Sequence, residues 1–168
     1  MSIEIMANYA DIVGGVAVVM SLIYVGIQIR RNTKSSQSQT NQSAHESLAT
    51  VSLAVAKDRD FSNLARKGLL EFDKLTEEEK FQFVLLMVTI FRRYENIFYQ
   101  YQNRFLEKDL WEGYRRSMLL YFYTSGGQAF WNIRRTHFSG LFQKYLDSTS
   151  PGEVGAEIEA KWPLEQPE

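Results

Sequence analysis

An uncharged apolar run near the N-terminus constrains this chain more than any other feature of its sequence. Residues 12–29 read IVGGVAVVMSLIYVGIQI, and Arg30 and Arg31 follow directly. At about 1.5 Å per helical residue the run spans roughly 27 Å, which is close to the hydrocarbon thickness of a bilayer. Tyr9 and Tyr24 lie toward its two ends, in keeping with the enrichment of tyrosine at membrane interfaces. The run therefore predicts a transmembrane helix.

Three other interpretations of this run stay open. A cleaved signal peptide needs basic residues before the apolar stretch, whereas this flank carries Glu4 and Asp11 and the basic residues come after. A core helix of a soluble protein should show a polar stripe, yet only Ser21, Gln28 and tyrosine hydroxyls interrupt the run. The run is short for a span, which would also suit an interfacial or re-entrant helix. Flanks and composition together favour the transmembrane helix.

The basic residues after the run predict its orientation. Arg30, Arg31 and Lys34 belong on the cytoplasmic side by the positive-inside rule, which leaves a short N-terminus outside. About 135 residues follow, enough for one domain with its own core. The expected plan is an all-α chain with a membrane anchor at 1–31, a polar stalk or linker at 32–47, a compact multi-helix cytoplasmic domain at 48–147 and a flexible acidic tail at 148–168.

Residues 32–47 leave two structures open. They read NTKSSQSQTNQSAHES, and neither Gly nor Pro occurs between Gly26 and Gly68, as would be usual in a flexible linker. A helix that continues from the membrane to about Lys57 is therefore one possibility. The low helix propensity of Ser, Thr and Asn favours the other, a solvated linker with a separate helix from about Gln42.

Composition excludes several classes of site. The 19 basic and 20 acidic residues leave a net charge of −1, so no nucleic-acid partner is expected, and the lipid bilayer is the predicted surface partner. The chain has no cysteine, which excludes disulfides, thiol catalysis and thiolate metal ligands. His45 and His137 lack a second ligand at metal-binding spacing, and no glycine-rich phosphate motif is present. We expect neither a metal nor a cofactor.

Hydrophobic periodicity predicts helices after residue 44, and no strand-like alternation is seen. A capping box at Thr76 and Glu79 begins a long central helix, which is expected to be largely buried. Thr124 and the glycines that follow it are expected to end the next helix. Aromatic side chains should fill much of the core. The predicted helices cover residues 61–72, 76 to 102 or 103, 107–123, 128–135 and 139–147.

The central helix carries the strongest candidate site. One row along it begins as an expected core face and then becomes polar, with Phe81, Leu85 and Val88 followed by Arg92, Glu95, Asn96 and Tyr99. Arg92 and Glu95 are three residues apart and can pair, as buried charges require. We interpret the cluster as an internal network that fixes the helix register. The alternative is a ligand-binding pocket formed by Arg92, Glu95, Asn96 and Tyr99.

A second candidate set follows the glycine pair at 126 and 127. An arginine beside Trp131 could hold a phosphate or carboxylate, and the set contains Trp131, Arg134, Arg135 and His137. Adjacent arginines on a helix point about 100° apart, so at most one of them serves a given pocket. Surface salt bridges are the simpler explanation.

The chain resembles a group of bacterial single-pass membrane-anchored helical proteins. The resemblance rests on the apolar stretch that ends in RRNT, on the segment FRRYEN at residues 91–96, and on the downstream Gln100 and Trp111. It extends to about residue 147. It implies a bacterial inner-membrane protein with an anchor, a stalk and a helical domain, and no activity is known for the group.

Three classes of function follow from these observations. The first is a non-enzymatic scaffold or accessory subunit of a membrane complex, able to self-associate because Ala10, Gly14, Ala17 and Ser21 place small residues on one helix face. The second is a membrane-tethered sensor or ligand-binding module with its pocket at the Arg92 row. The third, an enzyme at the membrane surface, would need converging acid, base and electrophilic groups that the sequence does not show. We favour the first class.

Overall fold

The computed structural model describes residues 3–153, with side chains from residue 14 to residue 152. The described residues contain six α-helices and no strand, so the all-α prediction is confirmed. They divide into two compact units with a boundary between Gln39 and Thr40, and the first helix, α1, runs through that boundary. The helices are α1 (Ile3–Lys57), α2 (Arg59–Leu70), α3 (Glu77–Gln102), α4 (Lys108–Phe122), α5 (Ser125–Arg134) and α6 (Gly140–Asp147).

The first unit consists of the N-terminal part of α1. Every described side chain from residue 14 to residue 35 is exposed, including large apolar ones such as Met20 at 63% and Leu22 at 67%. This helix is long and apolar enough to span a membrane, and its most apolar 18-residue window has no buried part. Its apolar surface is not covered by any described residue.

The polar tract at 32–47 is helical throughout as part of α1, so the continuous helix is the alternative that the structure adopts. Some of its hydroxyl and amide side chains bond within the helix. The Thr33 hydroxyl donates to the carbonyl of Ile29 at 3.0 Å, and the Gln42 amide donates to the Glu46 carboxylate at 2.8 Å.

The predicted capping box begins α3. The backbone N–H of Glu79 donates to the Thr76 hydroxyl at 3.2 Å, and the Glu79 carboxylate accepts from the backbone N–H of Thr76 at 2.7 Å. Lys67 of α2 reaches the same carboxylate at 3.0 Å. The Thr76 backbone bond first, and then Lys67, lower the pKa of Glu79 from its ordinary value of 4.5. The cap therefore also ties α2 to α3.

The core of the second unit is built mainly from aromatic side chains around α3, as predicted. Phe91 is fully buried and packs against Phe122, Phe130, Trp131 and Phe138, with ring centroids 5.2–6.5 Å apart. Such tilted and edge-on arrangements are the favourable ones for aromatic pairs. Fully buried aliphatic side chains, among them Met87, Met118 and Leu119, fill the space between the rings.

One expectation for α3 was wrong. The row that starts with Phe81 and Leu85 does not face the core, because these side chains are 61% and 49% exposed. The periodicity of a helix gives the angle between side chains around its own axis, but the positions of the neighbouring helices decide which angle is covered.

The prediction that the glycines at 126 and 127 end the preceding helix was also wrong. They do not end α4 but form the buried first turn of α5, which begins after the N-cap Thr124. A Cβ on Gly126 would lie 1.9 Å from the carbonyl oxygen of Gly68, so α5 and α2 approach at backbone distance. The Ser125 hydroxyl donates to the carbonyl of Leu70 at 2.8 Å and so completes the end of α2.

The first residues of the predicted flexible tail make hydrogen bonds within the second unit. Thr149 is held to α4 by a 2.7 Å hydrogen bond between its hydroxyl and that of Tyr123, and a short 3₁₀ turn follows at Pro151–Glu153. The rest of the predicted flexible tail lies outside the described residues. Two further 3₁₀ turns, at Phe72–Lys74 and Arg135–His137, connect helices of the second unit.

Candidate functional site

Arg92 and Glu95 form a network that reaches a distant part of the chain. The Arg92 guanidinium donates to the Glu95 carboxylate at 2.8 Å and to the carbonyl of His137 at 2.6 Å. The second carboxylate oxygen of Glu95 accepts from the backbone N–H of Ser139, the N-cap residue of α6, at 2.7 Å. The guanidinium also lies over the Phe138 ring, 4.8 Å from its centroid. This network fixes the start of α6 against α3.

The two sides of this ion pair are not equally buried. The Glu95 side chain is 10% exposed, whereas the Arg92 side chain is 51% exposed. Both Glu95 oxygens are occupied by bonds to the protein, which is what a buried carboxylate requires. The geometry is that of a structural tie.

Asn96 and Tyr99 do not join this network. Asn96 is exposed, and its side-chain oxygen accepts from Gln100 at 3.5 Å. Tyr99 is half-buried, with its ring edge-on to Phe98 at 5.6 Å. The four residues predicted as a ligand site thus share α3, but Arg92 and Glu95 pair with each other, whereas Asn96 and Tyr99 contact other residues. None of the four lines either of the two cavities described below.

Asp147 of α6 bonds to two residues of the second candidate set, Trp131 and Arg135. Its carboxylate accepts from the Trp131 indole N–H at 3.0 Å and pairs with the Arg135 guanidinium. His137 contributes its backbone carbonyl to Arg92. The sequence predicted surface salt bridges for this set without identifying an acidic partner. That partner is Asp147, the last residue of α6, and it pairs with Arg135.

The predicted packing face of the membrane helix lies in the first unit. Gly14, Ala17 and Ser21 are all exposed, and a Cβ on Gly14 would meet nothing within 4 Å. Ala10 lies in the helical backbone, but its side chain is outside the described residues. Positions 14, 17 and 21 share one helix face because of their three- and four-residue spacing.

Two cavities, which the sequence did not predict, flank the part of α1 that belongs to the second unit. The larger, here named the polar cleft, has a volume of about 950 Å³ and is lined by residues that include Thr50, Asn63, Lys67, Glu79, Gln82 and Arg93. Gln82, Thr89 and Arg93 of the lining recur at seven- and four-residue steps and so share one face of α3. The ion pair between Lys67 and Glu79 occupies part of its wall.

The smaller, named the apolar cavity, has a volume of about 410 Å³. Residues from α1, α2, α3 and α4 line it, among them Leu48, Val51, Val55, Leu69, Phe83, Met87 and Tyr121. The only signal in the sequence was the small size of the apolar residues at the end of α1, where alanine and valine alternate with serine and leucine. Whether such residues leave a cavity depends on the distance between helices, which the sequence does not give.

The described residues contain no group of three or more histidine, aspartate or glutamate side chains placed to hold a metal ion. The His45 ring packs on Tyr114 with centroids 5.4 Å apart. Comparison of the chain with protein-family models, with curated proteins and with solved structures found no match.

Proposed function

We propose that this chain is a single-pass membrane protein whose second unit acts as a non-enzymatic scaffold or accessory subunit on the cytoplasmic side. The observation that carries the proposal is the exposed apolar stretch of α1 from residue 14 to residue 29, which would be costly in water and favourable in a bilayer. Arg30, Arg31 and Lys34 at its end support an N-out orientation. The resemblance to bacterial anchored proteins supports the inner membrane as its location.

The paired state of the candidate sites supports a scaffold over an enzyme or a sensor built on the Arg92 row. Arg92 and Glu95 tie α6 to α3, and Arg135 is paired with Asp147. These charges stabilise the fold and are occupied by its own groups. Small residues on the exposed face of α1 support self-association through close helix contact in the membrane.

Cysteine labelling tests the location and orientation, because the natural chain has no cysteine to interfere. Ser2→Cys and Asn132→Cys, the second at an exposed site on α5, are expressed separately in spheroplasts and treated with a membrane-impermeant maleimide. We expect the residue-2 variant to be labelled in intact spheroplasts and the residue-132 variant only after lysis. Recovery of the parent chain in the soluble fraction, or the reverse labelling pattern, would contradict the proposal.

The role of the small-residue face is tested by Gly14→Leu. A leucine there should hold two helices apart and reduce self-association or partner contact in detergent, measured as the native mass of the extracted complex. Gly15→Leu is the matched control, since its position is equally open but lies about 100° around the helix. An unchanged complex mass in Gly14→Leu, or the same loss in both variants, would remove this face as the assembly surface.

A further inference from the structure

We propose that the apolar cavity is a binding site for a single-chain carboxylate amphiphile of the fatty-acid class, with its chain inside the cavity and its carboxylate at Arg66. The site is separate from the membrane helix and from the network around Arg92. Residues from α1, α2, α3 and α4 line it, all within the second unit.

The volume and lining of the cavity fit an aliphatic chain. About 410 Å³ lies within the range of small-molecule sites in proteins, roughly 300–1,000 Å³. The lining residues Leu69, Phe83 and Met87 are buried. Leu48 and Val55, which α1 contributes to the lining, are half-buried. A lining made mostly of apolar side chains favours the aliphatic part of a ligand.

The charge of the lining favours an anionic head group. Arg66 is the one charged residue among the described residues that line the cavity, and it is exposed. Within the described part of the chain it makes no hydrogen bond or ion pair; Lys74 mainly lowers the pKa of Glu71, and Arg66 adds only a weaker, longer-range attraction. Its guanidinium is therefore available to a carboxylate, for which it has the matching bidentate geometry.

The two tyrosines of the lining add no negative charge. Tyr94 is almost fully buried, and burial raises the pKa of its phenol well above the ordinary value of 10.0. Burial also raises the pKa of Tyr121. Both phenols stay neutral at physiological pH, so the cavity presents one positive charge beside an apolar interior.

Photo-labelling of the full-length chain in lipid nanodiscs tests this site. The probe is decanoic acid with a diazirine near the end of its chain, and the labelled residues are located by mass spectrometry of peptides. Phospholipid is present in large excess throughout, so labelling that persists reports a free carboxylate and not a bilayer lipid. We expect label on residues that line the apolar cavity, and label confined to residues 14–31 would overturn the proposal.

A pair of tryptophan substitutions near the end of α1 provides the matched comparison. Val55→Trp should fill the cavity and reduce labelling at least tenfold, whereas Leu53→Trp, at an exposed position outside the lining, should leave it unchanged. Ala65→Leu fills the same cavity from α2 and serves if Val55→Trp does not fold. Equal labelling of the parent and a folded filled variant would contradict the proposal.

Competition separates the head-group contact from simple apolar binding. Unlabelled decanoic acid should displace the probe about threefold to fivefold better than decanol, which corresponds to one partly exposed ion pair. Arg66→Gln should abolish this preference and leave the displacement by decanol unchanged. Equal displacement by acid and alcohol in the parent chain would overturn the assignment of the carboxylate to Arg66.

Discussion

The second unit contains a densely packed region and a loosely packed one. Around Phe91 of α3, aromatic rings pack against one another. Near the end of α1, Val51 lines both the polar cleft and the apolar cavity. The two regions also differ in whether their buried polar atoms have hydrogen-bond partners. Near the aromatic core, Glu95 has partners for both oxygens. Near α1, the side-chain oxygens of Asn41 and Tyr114 are buried without a hydrogen-bond partner among the described residues.

This difference indicates where the second unit is most stable and where it can open. Dense packing with satisfied polar groups raises the free energy of local opening, and cavities with unpartnered polar atoms lower it. The α3–α5–α6 region is therefore expected to define the fold. The α1 attachment is the region that can admit a ligand.

The close approach of α2 and α5 should give the largest effect. Gly126→Ala would place a Cβ 1.9 Å from a backbone oxygen, and because backbone atoms cannot move aside independently, we expect a loss of about 3 kcal/mol or more in the free energy of unfolding. Gly113→Ala in α4 is the control, since nothing lies within 4 Å, and should stabilise by up to about 1 kcal/mol. Chemical denaturation measures both, and equal stability of the two variants would contradict the close packing.

The second largest effect is expected for Glu95→Ala, which should lower the free energy of unfolding by about 2–3 kcal/mol. The substitution leaves the backbone N–H of Ser139 without its acceptor, while the half-exposed Arg92 can still reach water. The double variant Arg92→Met/Glu95→Leu should lose less stability than the single one, because apolar side chains fill the space that Glu95→Ala leaves empty. If thermal melts show Glu95→Ala to be as stable as the parent, the network is not structural, and the ligand-site hypothesis for this row gains weight.

A matched pair of valines compares the two regions directly. Val84 in α3 is buried, and Val84→Ala should cost about 2 kcal/mol. Val51 in α1 is half-buried beside both cavities, so Val51→Ala should cost about 1 kcal/mol or less. Similar losses from the two substitutions would mean that α1 is packed as tightly as the core.

The smallest expected effect is the contribution of the Glu79 charge to stability, which depends on pH. The pKa of Glu79 is lowered in the fold, so its ionised form adds stability at neutral pH, and this contribution is lost as the pH falls below about 4.5. Glu79→Gln keeps a hydrogen-bond acceptor for the cap but removes the charge. The difference in melting temperature between parent and variant should therefore be larger at pH 7 than at pH 3. A difference that does not change with pH would show that the charge contributes nothing.

Local features of this chain could be predicted from its sequence. The capping box at Thr76 and Glu79 depends only on a three-residue spacing, and the apolar run at 12–29 depends only on composition and length. The helical class and the aromatic core follow from periodicity in the same way. The candidate site was predicted in part, because Arg92 and Glu95 are three residues apart and do pair.

Only the tertiary structure decided which partners lie beyond one helical turn. Ser139 is 44 residues from Glu95, and Gly68 is far from Gly126 in the chain, yet these contacts join α6 to α3 and α5 to α2. The exposure of Phe81 and the apolar cavity beside Val51 have the same origin. A sequence pattern fixes angles around one helix axis, whereas burial, close approach and cavities depend on the distances and crossing angles between helices.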